Sequence, residues 1–413
     1  MRKLSCLLGL FGLGWLLYCL FQPIVDWHFG WNKLPESVFN QHFEGAYDNT
    51  YAEPIAKSKA VLLEAHHKSQ APSLSIAVAI GGNTVWSYSS GFENIEELVP
   101  ADTSTRYRIG SVSKAITSLG LARLLQTNTI SLDSSIQYYT GMFSEKPKIT
   151  VKQLASHQSG IRNYRARLSF PIWEYYRNEE FASVEESISD FENDDLLFEP
   201  GEDFAYSTYN YTALSYAMES VSGVDYLTIM NQEVFIPLKM QSTQADKKNS
   251  SISNRAVPYF SNEKLYKPAL DVNLSNKWAG GGLLSTPSDL VRAGNALLDS
   301  AFISSKVIQI ITTPQRLNNG DINNQNYALG WRHDYSDRYL DGAKKVEIIH
   351  HGGMAVGGLA LLAIYPEYNM TVALTVNKSG QEGRFELFDY AVPIANLFIT
   401  ELKEINRSTI LLH

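Results

Sequence analysis

Ser111 and Lys114 are the residues of this chain whose types and spacing could perform nucleophilic chemistry. They lie in the segment YRIGSVSKAITSLGLARLLQ, residues 107–126, which has the composition of a buried helix. Residues three apart share a helix face, so the two side chains are predicted neighbours. The N-terminus of a helix favours a developing oxyanion at the serine, and together with burial it disfavours an ammonium. A neutral amine beside a hydroxyl would activate the serine without a histidine. The alternatives are that this spacing is accidental, with Lys114 a charge at a helix end, and that Ser113 only caps the helix.

Composition excludes several other kinds of site. The net charge of −8 over 413 residues argues against a general nucleic-acid binder. The two cysteines, Cys6 and Cys19, both lie near the N-terminus, so the rest of the chain can have no disulfide, zinc–cysteine site or thiol nucleophile. Asp194 and Asp195 are not surrounded by a ligand set with metal spacing. We therefore expect neither a metal nor a cofactor.

Residues 1–25 predict a membrane anchor. A basic start, MRK, precedes 18 residues without a charge, which is close to the ~20 residues that a spanning helix needs. No small-x-small cleavage site follows this segment, so an uncleaved signal-anchor is favoured over a cleaved signal peptide. The basic residues should stay in the cytoplasm. The sequence thus predicts a single-pass membrane protein with its body on the exported side, periplasmic or extracellular.

The pattern beyond the anchor predicts one mixed α/β unit. Residues 26–55 are interpreted as a stalk or collar, 56–405 as the folded body and 406–413 as a tail. β-rich runs in 56–110, with a hairpin turn at Gly81-Gly82-Asn83, and in 325–405 indicate a sheet formed from both ends of the body. The region 111–324 between them predicts an inserted all-helical subdomain. A last helix is expected over roughly 383–403.

Three histidines receive structural interpretations. His66 and His67 lie on an amphipathic helix that begins near Ile55, where we expect both to be solvated. His157 lies in the loop-like SHQSG segment. It is interpreted as a hydrogen-bond anchor, not as a base.

Five segments in order resemble the serine β-lactamase and penicillin-binding-protein superfamily. The first is residues 107–139, whose S-x-x-K spacing at Ser111 to Lys114 is the nucleophile motif of that superfamily. The others are ITVKQLASHQSGIRNY, FEPGEDFAYSTYNYTALSYAMESVSG, WAGGGLLSTPSDLVRAGNALL and HHGGMAVGGLALLAIYPE. The chain is most similar to class C β-lactamase-like enzymes, and closer still to the mitochondrial serine β-lactamase-like peptidases and their bacterial relatives. The resemblance covers roughly 57–400 and implies a β-lactamase/transpeptidase-like fold, with helices flanking an antiparallel sheet.

The resemblance also implies a set of site residues. Ser111 would be the nucleophile, and Lys114 and Tyr206 would share the proton transfers. The resemblance does not decide which of the two is the base. Thr208 stands where the family has the Asn of Y-x-N, which puts β-lactam recognition in doubt. The third motif is H-x-G at His351 to Gly353, with His350 as a competing register. Its glycines, Gly352 and Gly353, would let the strand approach the substrate. The oxyanion would bind the N–H groups of Ser111 and Met354.

The predicted function is a membrane-anchored serine hydrolase. It would act through an acyl-enzyme on a peptide amide or ester, with a small molecule or peptide as substrate. His351 would support the pocket or bind a substrate carboxylate. One alternative is a true β-lactamase or D-alanyl-D-alanine carboxypeptidase. The other is a penicillin-recognising or scaffolding protein without turnover.

Overall fold

The computed structural model describes residues 10–15, 17–18, 28–166, 173–262, 264–341, 344–379 and 386–411. The strands are β1 (Asn32–Lys33), β2 (His42–Tyr47), β3 (Ser73–Ile80), β4 (Asn83–Asn94), β5 (Val99–Pro100), β6 (Tyr107–Arg108), β7 (Gln244–Ala245), β8 (Tyr259–Asn262), β9 (Leu265–Pro268), β10 (Leu283–Ser285), β11 (Arg332–Asp341), β12 (Lys344–Ala355), β13 (Gly358–Tyr365), β14 (Met370–Val376) and β15 (Lys378–Ser379). The α-helices are α1 (Ala52–Ser69), α2 (Val112–Gln126), α3 (Ile136–Thr140), α4 (Val151–Ala155), α5 (Val184–Ile188), α6 (Tyr209–Ser222), α7 (Tyr226–Met230), α8 (Trp278–Gly281), α9 (Pro287–Asn295), α10 (Ser305–Thr312) and α11 (Phe388–Leu411). Tighter or wider helical turns lie at Glu36–Asn40, Asn49–Tyr51, Glu174–Tyr176, Asn231–Phe235, Ser275–Lys277 and Pro366–Tyr368.

The largest sheet joins the two ends of the folded body. Its strand order is β11-β12-β13-β14-β3-β4-β2, with β5 paired to β4. Strand β14 pairs antiparallel with β3, so that Leu374 lies opposite Ile76. The β3–β4 hairpin turns at Gly81 and Gly82, whose φ angles of +58° and +80° favour glycine. The mixed α/β fold with an antiparallel sheet that is formed from both ends is therefore confirmed.

The central strands are buried on both faces because helices cover each side. Side chains alternate along a strand, so Ile76 and Val78 point into one apolar cluster with α1 and α11, whereas Ala77 and Ala79 point into another with the helical region. Helix α9 lies against β3, β13 and β14. There Gly294 allows close contact, since a Cβ would lie 2.5 Å from the Thr371 methyl. The sheet thus forms a rigid base for α2.

The region 111–324 contains helices α2 to α10, joined by long loops, and also carries β7 to β10. Strand β10 pairs with β6 directly before α2 and with β7 on its other side. The backbone groups that enter and leave this region therefore find partners in short strands, because buried N–H and C=O groups must be paired. The sequence pattern predicted an all-helical insert. This pairing of short strands explains why the region also contains β structure.

Part of the expected stalk, 26–55, lies in the folded body. Strand β2 pairs with β4 at the edge of the large sheet, and β1 pairs with β9. At the other end, α11 continues beyond residue 403 to Leu411, so the expected tail, 406–413, begins within a helix. The strand patterns at the first end are short, and the helix pattern at the other end stops gradually, so the sequence does not locate these bounds sharply.

The predicted anchor, residues 1–25, falls mostly outside the described residues. Residues 10–15 and 17–18 are helical with exposed side chains. Among the described ranges, no helix combines the length and the apolar character needed to span a bilayer.

His66 is buried, contrary to the expectation that both histidines of α1 are solvated. Its Nδ1 lies 2.8 Å from Ser90 Oγ and its Nε2 lies 2.9 Å from the Ala71 carbonyl oxygen. Burial lowers the pKa of His66 to about 4. Phe39 packs over this face of the helix, with its ring 5.0 Å from that of His66. The periodicity of α1 places His66 on a polar face. That face is covered by residues that precede the helix, which the periodicity alone does not show.

Candidate active site

Ser111 lies at the start of α2 with its hydroxyl available for chemistry. It has helical backbone angles, φ −65° and ψ −9°, and its side chain caps no backbone N–H. Ser113, two residues on, is fully buried, and its Oγ accepts from the backbone N–H of Leu283 at 3.3 Å. Ser113 therefore holds α2 against β10, and Ser111 is the serine that faces the cleft.

Lys114 is fully buried beside Ser111. Its Nζ lies 3.2 Å from Ser111 Oγ, 3.1 Å from Thr208 Oγ1 and 2.6 Å from the Gly280 carbonyl oxygen. Burial lowers the pKa of Lys114 well below its ordinary value, and the nearby cations Arg332 and Lys277 lower it further. The side chain is thus poised as a neutral amine in contact with the serine hydroxyl.

Tyr206 lies beside both Ser111 and Lys114. The Lys114 Nζ is 4.8 Å from the centre of its ring. Burial raises the pKa of Tyr206 to about 12, although a hydrogen bond with Ser111 and the charge of Arg332 both act to lower it. The phenol is therefore neutral near pH 7. It can relay a proton, whereas a tyrosinate would need a stronger cationic setting.

His157 packs against the ring of Tyr206, as expected of a residue that anchors this loop through hydrogen bonds. The two ring centres are 4.3 Å apart, and His157 is fully buried with φ +61°. Its Nδ1 accepts from the N–H of Ser207 at 3.3 Å and lies 3.1 Å from the side-chain amide nitrogen of Asn210. These bonds fix the loop that carries Tyr206.

Thr208 faces Lys114 directly. Besides its hydroxyl contact with the amine, its backbone N–H donates to Asn163 Oδ1 at 3.1 Å. The approach of α8 to this point requires glycine, because a Cβ on Gly280 would lie 2.6 Å from the Thr208 methyl. The Thr208 hydroxyl, which is shorter than the Asn side chain of the family motif, thus holds the Lys114 amine.

Two glycines bring β12 against the start of α2. Gly110 has φ +49°, and a Cβ there would lie 2.5 Å from the Met354 carbonyl. A Cβ on Gly353 would lie 1.9 Å from the Ile109 carbonyl oxygen. The backbone of Met354 is consequently beside Ser111, while its side chain is 65% exposed. This close approach is what two convergent N–H donors for an oxyanion require.

His351, and not His350, faces the cleft. His351 is buried, with Nε2 3.0 Å from the Tyr327 hydroxyl and Nδ1 2.6 Å from the Gly352 carbonyl oxygen. Burial holds the pKa of His351 well below its ordinary value, with Arg332 and Lys114 adding to the effect. His350 instead lies 2.9 Å from Asp334 Oδ2, because neighbouring side chains of a strand point to opposite faces. His351 is thus a neutral group that supports the pocket.

Ser111 stands between two cavities. The first, here called the aromatic chamber, has a volume of about 420 Å³; the second, the arginine chamber, has about 370 Å³. Tyr164, Tyr175 and Lys277 line the aromatic chamber. Arg332 and His351 line the other. Within the described ranges no group of three or more His, Cys, Asp or Glu could hold a metal ion.

Sequence reasoning missed two cations of this cleft, Lys277 and Arg332. Lys277 directly precedes the WAGGG segment, and Arg332 begins β11, the partner of β12. The Arg332 guanidinium lies 5.6 Å from the Tyr206 ring centre and 5.2 Å from that of Tyr327. For Lys277 the available signal was its position next to a recognised motif, whereas Arg332 lies outside the five segments and gave no such signal. The sequence-predicted residues that the structure brings together around the cleft are Ser111, Lys114, Tyr206, Thr208, His351, Gly353 and Met354.

Similar proteins have been found both by sequence and by structure. The chain is 28% identical over 401 residues to the human serine beta-lactamase-like protein LACTB, mitochondrial, covering 77% of this chain and 73% of the human protein. It is 25% identical over 318 residues to penicillin-binding protein 4* of Bacillus subtilis, covering 73% and 67%.

Solved structures show the same fold. The octameric penicillin-binding protein homologue from Pyrococcus abyssi superposes with a TM-score of 0.67 at 22% identity, covering 84% of this chain and 77% of that one. The D-amino acid amidase from Ochrobactrum anthropi SV3 also has a TM-score of 0.67 at 22% identity, covering 86% and 99%. The family model described as Beta-lactamase matches residues 53–395. This chain belongs to the β-lactamase family.

Proposed function

We propose that the protein is a serine hydrolase that forms an acyl-enzyme at Ser111 and acts on peptide amides or esters. The observation that carries this proposal is the 3.2 Å contact between Ser111 Oγ and the fully buried Lys114 amine. A neutral amine has two N–H groups and one lone pair. The N–H groups match the Gly280 carbonyl and Thr208 hydroxyl oxygens, which leaves the lone pair for the serine proton.

Acylation would proceed with Lys114 as the base. Its lone pair takes the Ser111 proton while Oγ bonds to the acyl carbon, and the carbonyl electrons move to an oxyanion near the Ser111 and Met354 N–H groups. When the oxyanion collapses, the bond to the leaving atom breaks. Tyr206 gives that atom a proton and receives one from Lys114. The raised pKa of Tyr206 suits this role, because a neutral phenol can donate.

Deacylation would use the same groups in reverse. A water molecule attacks the acyl carbon, its proton passes to Lys114, and collapse of the second oxyanion returns that proton to Ser111 Oγ. No residue changes oxidation state, and no metal or cofactor takes part in these steps.

Turnover of a 4-nitrophenyl ester by the full chain tests the proposal. We expect hydrolysis by the wild type and by Ser113→Ala, and none above background by Ser111→Ala. Hydrolysis that survives in Ser111→Ala would contradict it. Hydrolysis lost equally in both alanine variants would also contradict it, since Ser113 then matters as much.

A D-alanyl carboxypeptidase is the second candidate. Arg332 and His351 in the arginine chamber favour it, because a guanidinium beside the leaving-group position can bind a terminal carboxylate. Release of D-alanine from a peptide that ends in D-alanyl-D-alanine, with none from its C-terminal amide, would support this candidate. Equal rates on the acid and the amide would exclude it.

We further propose that the hydrolase is anchored to a membrane by residues 1–25, with its body exported. The support is the charge-free run between Lys3 and Gln22, which is long enough for a bilayer. The basic residues that precede it favour export of the remainder.

A further inference from the structure

Lys277 is a buried lysine in the wall of the aromatic chamber. It is 5% exposed and belongs to the short turn Ser275–Lys277 that leads into α8. Its Nζ lies 4.9 Å from the ring centre of Tyr164 and 4.8 Å from that of Tyr175. Helix α8 also supplies the Gly280 carbonyl that binds Lys114. The lysine is therefore fixed relative to the reacting centre.

The charge of Lys277 has no anionic partner in the part of the chain that is described. The ammonium donates to one acceptor, the Tyr175 carbonyl oxygen at 3.2 Å. The charged group that perturbs it is another cation, Arg108, whose own carboxylate partner is Asp246 at 2.7 Å. Lys277 is the sole charged residue among the described residues that line the aromatic chamber. An acidic protein, with a net charge of −8, thus has a cationic chamber beside its serine.

Buried lysines are rare unless they are paired, because burial removes the ammonium from water. Among the described residues no carboxylate pairs with Lys277, and its polar contact is with the Tyr175 carbonyl oxygen. The aromatic faces of Tyr164 and Tyr175 also attract the ammonium. A ligand anion would complete the site.

We propose that Lys277, with Tyr164 and Tyr175, forms a subsite for an anionic group, such as a carboxylate, on the acyl portion of the substrate. This inference rests on the proposed acyl transfer at Ser111. The acyl portion is assigned to the aromatic chamber because Arg332 lies over the ring of Tyr206, the group that protonates the leaving atom. That arrangement assigns the leaving group to the arginine chamber.

Proton binding gives this subsite a pH dependence. Burial and the neighbouring Arg108 lower the pKa of Lys277 to about 7. The ammonium is therefore present below pH 7 and is lost as the pH rises. A bound carboxylate favours the ammonium, so the preference for an anionic acyl group is largest in mildly acidic solution and declines towards pH 9.

The test compares two substrates that differ in one group. They are the S-ethyl thioesters of N-succinylglycine and N-butanoylglycine. The succinyl group ends in a carboxylate where the butanoyl group ends in a methyl. We expect kcat/KM at pH 6.5 to be at least ~10-fold higher for the succinyl ester, mostly through KM, because a charged hydrogen bond at a buried site exceeds 1.4 kcal/mol. Lys277→Met should abolish the preference. Lys247→Met, a matched change at an exposed lysine whose Nζ lies 5.8 Å from the Trp278 ring centre, should retain it.

Binding separates this inference from the proposed function. Calorimetry on Ser111→Ala with N-succinylglycinamide and N-butanoylglycinamide needs no turnover, and the succinyl compound should bind at least ~10-fold more tightly. If no thioester is hydrolysed but this difference is found, the subsite is supported and the hydrolase proposal fails. Equal affinities overturn the subsite. The subsite is also overturned if the wild type prefers the succinyl ester equally at pH 6 and pH 9. This measurement is made on the wild type, so it stands even if Lys277→Met does not fold.

Discussion

Two buried lysines, Lys114 and Lys277, dominate the chemistry of the cleft at the scale of the residue. Neither is paired with a carboxylate among the described residues, and burial lowers the pKa of each, that of Lys277 to about 7. A lysine that folds in its neutral form must lose a proton on folding. It therefore opposes stability at every pH below its unfolded pKa of about 10.4. For Lys114 this cost accompanies the neutral amine that the proposed base requires, whereas Lys277 regains its ammonium below about pH 7, where the proposed subsite needs it.

Replacing Lys114 with methionine should separate stability from activity. The unfolded state binds one more proton than the folded state between the lowered pKa and about 10.4, so wild-type stability rises with pH in that window. We expect Lys114→Met to be more stable than the wild type at pH 7, with the difference shrinking towards pH 10, and to lose at least ~10²-fold in kcat/KM as for an acid–base group. Chemical denaturation across pH measures the first effect and ester hydrolysis the second. A less stable variant that keeps its activity would contradict the assignment.

Tyr206→Phe should also reduce kcat/KM by ~10²-fold, because the relay to the leaving atom is lost. If Lys114 and Tyr206 act as one unit, the variant with both Lys114→Ala and Tyr206→Phe should lose little more than either single variant. Hydrolysis rates of all three variants measure this. Losses that multiply would show two independent functions.

At the scale of the element, the site depends on how closely β12 approaches the start of α2. Gly353 and Gly110 set that distance, since the Cβ of any other residue would overlap the facing backbone. The helix gives Ser111 and Lys114 their spacing, and the strand gives the Met354 N–H. Neither element alone contains the site.

Gly353→Ala should therefore destabilise the fold and Gly352→Ala should not. The Cβ at residue 353 would lie 1.9 Å from the Ile109 carbonyl oxygen, whereas at residue 352 nothing lies within 4 Å. Overpacking typically costs about 1–3 kcal/mol. We expect a lower midpoint of thermal unfolding for Gly353→Ala alone. Equal midpoints for the two variants would mean that the strand does not need this approach.

Sequence patterns predicted contacts that depend on regular geometry and missed those that depend on tertiary packing. The contact between Ser111 and Lys114 follows from helical spacing, and the Gly81–Gly82 turn follows from its need for positive φ. Arg332 reaches the cleft from a segment outside the recognised motifs, which no local pattern shows, whereas Lys277 lies directly before one of those motifs. His66 was misplaced because Phe39 covers a helix face that its own periodicity left open.

At the scale of the whole molecule, the body buries its sheet between two helical layers and carries the cleft on one side. Helix α1 stabilises the sheet without lining either chamber, whereas the first residue of α11, Phe388, lines the arginine chamber. The proposed anchor would attach at the N-terminal side of β1.

The full chain expressed in a bacterium should sediment with membranes and keep its N-terminus. The charge-free run should partition into the bilayer, since ~20 apolar residues suffice to span it. Detergent, but not high salt or carbonate, should release the protein. An N-terminal sequence that begins beyond Phe21 would show that the segment is a cleaved signal.

Mapping of a covalent probe tests the central claim, that Ser111 is the nucleophile, most directly. A fluorophosphonate should react with the full chain at one site, with fluoride leaving as Ser111 Oγ bonds to phosphorus. Trypsin should place the label in the peptide from Ile109 to Lys114, and fragmentation should assign it to Ser111 and not to Ser113. Ser111→Ala should remain unlabelled, and Ser113→Ala should be labelled as the wild type is. A label on Ser113, or one that persists in Ser111→Ala, would contradict the account.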